Sequence, residues 1–264
     1  MHKQILGKCN IFNSFGVMKF NNHILKYSLF TIGLFFLFSF KFSKPKNVPS
    51  LVIEFNHYVG NDRLILDSLL YKNEFNQSYS ISKFRYYINN IKLKRKDGTE
   101  YISNEYYLID VEDKEPKQIV IDEQGYYSSI SFTIGVDSLH NCSGLQLGAL
   151  DPVKGMFWAW NTGYIFLKLE GKSPYSKSPS NIFEFHIGGF KQPNNCIRQV
   201  TLNLTEKSIQ NIASDVDLLP IWVDISEILK TPTSVDFTKL SSVTDFNNAT
   251  MMADNYADMF SVIK

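Results

Sequence analysis

Residues 51–58 read LVIEFNHY. Leu51, Ile53, Phe55 and His57 share one parity, and Val52, Glu54, Asn56 and Tyr58 the other. Successive side chains of a strand point to opposite faces, so the alternation predicts a strand with one buried face, and it puts His57 on the apolar parity. Runs of the same character follow at 84–93 (FRYYINNIKL), 106–110, 118–121, 127–136, 156–169, 182–187, 197–204 and 219–223. The first of these is closed by the turn dipeptide Asp97-Gly98, and polar or Gly/Pro-bearing turns separate most of the others. Many short strands with regular turn signals predict an all-β fold, a β-sandwich of Greek-key or jelly-roll type. Two stretches read as short helices instead. One is 63–71 (RLILDSLLY). The other is the carboxy-terminal stretch 247–263, where Ala249, Met252, Ala253, Tyr256, Met259 and Phe260 recur near helical spacing. Residues 172–180 (KSPYSKSPS) read as a surface loop. No repeat or linker divides the chain after residue 45, so 46–264 is expected to be one domain.

Composition narrows the classes. The 264 residues carry 27 basic and 26 acidic side chains, a net charge of +1. That balance argues against a nucleic-acid binder, which needs a clustered positive field. A hydrophobic content of 44% is enough to bury a core, which excludes wholesale disorder. The 21 Phe and 14 Tyr favour strands. Three cysteines are too few for a four-cysteine zinc site or a disulfide-dense scaffold.

The amino terminus reads as an export signal. Residues 27–40 (YSLFTIGLFFLFSF) hold no charge, yet they fall short of the roughly 20 residues that span a bilayer. Lys19, His23 and Lys26 precede the run, and Lys41, Lys44 and Lys46 follow it. A positive flank before a short apolar core has the form of a secretory signal within residues 1–45, with Met18 as an alternative start. The expectation is a periplasmic protein that touches the membrane only if that segment stays uncleaved. Cys9 would leave with the signal. Cys142 and Cys196 remain, and such a pair in an oxidising compartment is expected to be bridged.

Chemistry is harder to place. The chain has no Gly-rich phosphate loop, GxSxG elbow, HExxH or CxxC motif. Asp151 and Glu170 do not form a recognisable acid/base pair, and DVEDKE at 110–115 reads as a solvated loop. Three histidines follow the signal: His57, His140 and His186. A lone strand histidine is usually hydrogen-bonded structure. His57 and His186 stand out because both lie in apolar runs, and Gly188 and Gly189 after His186 allow close approach of another segment. His140, in SLHNCSG, reads as a structural loop residue. In residues 155–171 (GMFWAWNTGYIFLKLEG) Met156, Trp158 and Trp160 share a parity. They are either core or an aromatic site beside the histidines, with Met156 as a soft thioether donor. Imidazole with thioether suits Cu(I).

At these residues the sequence resembles the MbnP-like copper-binding family of exported bacterial proteins. The resemblance runs through EFNHYVG, FRYYINNIKLKRKDG, SFTIGVDSLHNCSGLQLGALDPVKGMFWAWNTGYIFLKLEG, FEFHIGG and MMADNYADMFSV, in order over most of 50–262. It implies a largely β-sheet periplasmic protein that binds copper as Cu(I). It also implies a partner, a di-haem peroxidase of the MauG type, which in relatives oxidises a tryptophan to kynurenine. Carried over by position, His57 and His186 are the metal ligands, and Trp158 or Trp160 is the modified residue. The resemblance points to a binding protein without turnover. The competing expectation is an exported interaction module for protein or glycan, which requires Trp158 and Trp160 open to solvent. A copper oxidoreductase would need an open coordination position and a cleft.

Overall fold

The computed structural model of the chain describes residues 50–68, 71–113, 115–123, 125–158, 163–213, 216–244 and 248–262. The expected signal region, Met18 and Cys9 included, lies outside the described residues, and so does Trp160. Among the described residues, no helix is long and apolar enough to cross a membrane.

In chain order the strands are β1 (Ser50–Val59), β2 (Asp62–Arg63), β3 (Tyr71–Lys72), β4 (Ser78–Arg95), β5 (Glu100–Ser103), β6 (Tyr107–Asp110), β7 (Gln118–Ile121) and β8 (Tyr127–Ile134). Helix α1 (Ser138–Cys142) follows, then β9 (Phe157–Trp158), β10 (Gly163–Tyr164), β11 (Leu167–Lys172), β12 (Ile182–Ile187), β13 (Arg198–Asn203), β14 (Gln210–Ala213) and β15 (Val216–Asp224). The chain closes with β16 (Ser242–Val243), α2 (Ala249–Ala257) and β17 (Phe260–Ser261). One sheet runs β14-β15-β1-β2, with β7 added on β1 and β17 on β15. The other runs β13-β8-β4-β11-β12-β16, with β3, β5 and β6 along β4. Strands β9 and β10 form a separate hairpin. The architecture is the all-β sandwich expected, with two short α-helices among the described residues.

The two sheets meet through aromatic side chains. Phe55 of β1 makes edge contacts with Tyr86 of β4 at 6.4 Å, Phe132 of β8 at 6.0 Å and Phe260 of β17 at 6.5 Å. Such pairs add to the large apolar area the rings bury. β1 is held in the first sheet by parallel pairing with β15, from Ser50 opposite Val216 to Tyr58 opposite Asp224. In the second sheet Phe84, Leu169 and Phe185 pair across β4, β11 and β12, all fully buried. The next register position carries Arg85, Lys168 and His186. By strand parity that row lies on the opposite face, outside the sandwich.

Two expectations change. Residues 63–68 and Tyr71, the described part of the expected helix, are not helical. Leu64 N donates to His57 O and Asp67 N to Ile81 O, so the segment is tied to the backbones of β1 and β4. Asp67 turns with a positive φ, and Tyr71 enters β3. Leu64 and Leu66 pack on the core while Ile65 is exposed, an alternation met here in irregular chain and turn. The carboxy-terminal helix is also shorter than expected. It covers Ala249–Ala257, and Phe260 leaves it to pair with Val223 of β15. The helical spacing of Met259 and Phe260 reflected a shared need for burial, met in a different backbone state. The run 156–169 is divided among β9, β10 and β11.

Replacing Phe55 with Ala removes the ring that contacts three strands of the core. The expected cost is about 3–5 kcal/mol in urea unfolding, against about 1–2 kcal/mol for Phe55→Leu, which keeps most of the volume.

Candidate functional site

His186 extends from the outer face of β12. Its Nε2 lies 2.8 Å from Glu170 Oε1. The Glu170 carboxyl is held down at about 2, first by this hydrogen bond and then by Lys83 and Lys168, against an opposing contribution from burial. A carboxylate fixed on Nε2 orients the ring and leaves Nδ1 as the lone-pair donor, the arrangement that supports metal-bound histidines. Lys168, the cross-strand neighbour of His186, donates from Nζ to Gly155 O at 2.6 Å. Arg85, the next in the row, donates to Lys154 O at 2.9 Å and pairs with Asp110 at 2.8 Å and with Glu112. Two cations from the sheet therefore hold the carbonyls just before the Trp158 hairpin. The reading of 110–115 as a solvated loop holds for Glu112, Asp113 and Glu115, which are exposed, while Asp110 belongs to β6 and Glu112 is bound by Arg85. Lys168, Glu170 and Arg85 are the residues that single-motif reasoning missed. The shared parity of Lys168 and Glu170 was the available signal.

Trp158 is 7% exposed and belongs to the β9–β10 hairpin. A Cβ built on Gly188 would lie 2.7 Å from the Trp158 ring and 2.6 Å from Tyr164 O. Gly188 is thus the position that lets the indole settle two residues beyond His186. Met156 is fully buried, and its carbonyl accepts from Ile165 N.

His57 stands elsewhere. It projects from β1 into the sandwich, with ring centroids 5.8 Å from Phe84 and 5.9 Å from Tyr86. Its Nε2 is 3.2 Å from the Tyr86 hydroxyl. Burial lowers its pKa to about 4, so the ring is neutral near pH 7. It also lines a small cleft with Arg63, Asp110 and Asp113. His140 is structural: Asp137 caps α1 by accepting from His140 N and binds its Nδ1 at 2.9 Å.

The copper site implied by the resemblance can be tested on these positions. Metal ligands must converge within about 2 Å of one point. His57 packs on the inner side of β4. His186 lies on the outer side, two strands away, where each strand step is about 4.8 Å. A site uniting both imidazoles does not fit this structure. Among the described residues, no three His, Cys, Asp or Glu side chains are grouped to hold a metal ion. The structure brings Trp158 towards His186 and leaves His57 half-buried between the sheets. The expected Cys142–Cys196 bridge is not formed. Cys142 is an exposed thiol at the end of α1, and Cys196 is a buried one. Burial pushes the Cys196 thiol up to about 12.

A sequence profile of the family described as MbnP matches residues 48–252. No curated protein matches the sequence. Among solved structures, "MbnP from Methylosinus trichosporium" is similar in fold, with a TM-score of 0.51 and 16% identity. The similarity covers 72% of this chain and 79% of that one.

The environment of His57 sets a pH dependence. The unfolded chain takes up a proton near 6.5 that the folded chain refuses until about 4. Stability is at its full value above the unfolded pKa. It falls as pH drops through that window, by up to about 3 kcal/mol. Urea unfolding at about pH 7 and about pH 4.5 should show a smaller loss for His57→Gln than for the parent.

Proposed function

The chain belongs to the MbnP family, and from that premise we propose that it is an exported copper-binding protein whose metal is held on the His186 side of the Trp158 hairpin. The observation that carries this reading is the Trp158 ring seated against Gly188, two residues from a histidine whose Nε2 is engaged by Glu170. An imidazole Nδ1 is a neutral donor, and neutral donors suit a monovalent ion better than a ring of carboxylates does. His57 serves the core in this reading, as a neutral ring against Phe84 and Tyr86. The protein binds metal and turns nothing over. Its compartment is the periplasm.

The finer part of the proposal is covalent. A partner of the di-haem MauG type cleaves the indole C2–C3 bond of Trp158 or Trp160 with a four-electron oxidant, dioxygen or two peroxides, and hydrolysis releases the C2 carbon as formate, leaving kynurenine with one oxygen more and one carbon fewer. Kynurenine has an aniline nitrogen, whereas an indole N–H only donates. The interaction-module reading asks for an open Trp158. The ring is buried, which counts against that reading on this residue.

Cu(I) titration of metal-free protein against a competing chelator tests the site. His186→Ala should lose binding, and Glu170→Gln should weaken it about 10–100-fold. His57→Ala should bind as the parent does. Loss in His57→Ala with retention in His186→Ala would overturn the assignment, and retention in both would move the metal elsewhere. Intact-mass measurement of protein from its native host tests the modification, and an unmodified mass counts against it.

A further inference from the structure

A cleft of about 750 Å³ opens on the side of the hairpin where Trp158, Phe157 and Tyr164 meet Phe190 and Leu145. That volume falls within the range of small-molecule sites, about 300–1,000 Å³. We propose that this cleft binds a small planar aromatic anion, a carboxylate or sulfonate, with its ring between the half-buried Phe157 and Phe190, above the buried Trp158 and Tyr164, and its charge at Lys191. The cleft shares Trp158 with the copper reading but takes neither His186 nor Glu170 from it, so failure of the one can be told from failure of the other.

Three observations carry it. First, the floor is preformed and its polar groups are already used. The Tyr164 hydroxyl donates to Leu150 O at 2.7 Å, and Tyr164 N donates to Asn141 Oδ1 at 2.9 Å. Asn141 Nδ2 in turn donates to Val136 O and Asp137 O. A ligand ring meets an apolar surface held by satisfied hydrogen bonds, so little ordering is needed on binding. Second, the rim is apolar where it need not be. Leu145, 79% exposed, lines the cleft together with the half-buried Phe157 and Phe190, so its apolar surface belongs to a concave patch. Third, the charge is one-sided. Lys191 is the charged residue among the described residues lining the cleft, and no carboxylate lines it. Its Nζ lies 5.3 Å from the Phe190 ring centroid, and it forms no ion pair among the described residues. A cation over an aromatic wall, without a counter-ion, matches an anion attached to a flat apolar body. A neutral apolar ligand would leave that charge unused, and a cationic one would be repelled.

Two naphthalene probes test this on the full metal-free chain. One is 8-anilinonaphthalene-1-sulfonate, and the other is its uncharged relative N-phenyl-1-naphthylamine. The sulfonate should bind at a single site per chain with a rise in fluorescence. Lys191→Gln should weaken the sulfonate about fivefold while leaving the uncharged probe unchanged. Leu145→Asp should weaken both, by placing a carboxylate at the rim. Both substitutions are at exposed positions outside the core, and an unchanged far-ultraviolet spectrum checks that the fold is kept. The proposal is overturned if the parent does not bind the sulfonate, if binding occurs at many weak sites, or if Lys191→Gln affects both probes equally.

Discussion

The structure depends on the meeting of Phe55 with Tyr86, Phe132 and Phe260 between the two sheets. These rings come from strands far apart in sequence, and burying them together offsets the chain entropy of bringing β1, β4, β8 and β17 to one place. Once Phe55 faces inward, the pleat places every other residue of β1. His57 must also face inward, against Phe84 and Tyr86. Once Phe84 and Phe185 face inward, the same rule turns Arg85, Lys168 and His186 outward. One packing requirement therefore separates the two histidines.

The separation has electrostatic consequences. Burial between the sheets disfavours an imidazolium, so His57 stays neutral and shares its hydrogen bond with a phenol whose own pKa burial raises well above the ordinary value. Outside, charges are arranged in a cross-strand row in which each cation has a carboxylate within reach. That row also donates to the carbonyls of Lys154 and Gly155, ahead of the hairpin. The position of Trp158 is thus set from two sides, by cations that hold the chain leading to it and by Gly188, which leaves room for its ring.

Individual residues show how much of the site was legible beforehand. The parity of His57 with Leu51, Ile53 and Phe55 placed it correctly on a buried face, and FHIGG correctly marked a close approach. The pairing of His57 with His186 rested on the resemblance and on shared hydrophobic context. Parity within one strand says nothing about which side of the next sheet a residue faces. The cysteines failed in a similar way. An even count suggested a bridge, but whether two thiols can approach depends on where the end of α1 sits relative to the segment before β13.

By itself the sequence determined the strand-rich class, the alternation within β1, β4 and β12, the turn at Asp97-Gly98 and the family to which the chain belongs. These are properties of local periodicity and residue identity, carried by neighbours along the chain. Tertiary structure alone decided that residues 64–68 would form a turn-bearing connection tied to β1 and β4 instead of a helix, that Phe260 would leave a helix to join the core, and that one imidazole would point inward and the other outward. The physical reason is that sheet register and facing are set by contacts between segments remote in sequence, whose free energy no local pattern contains.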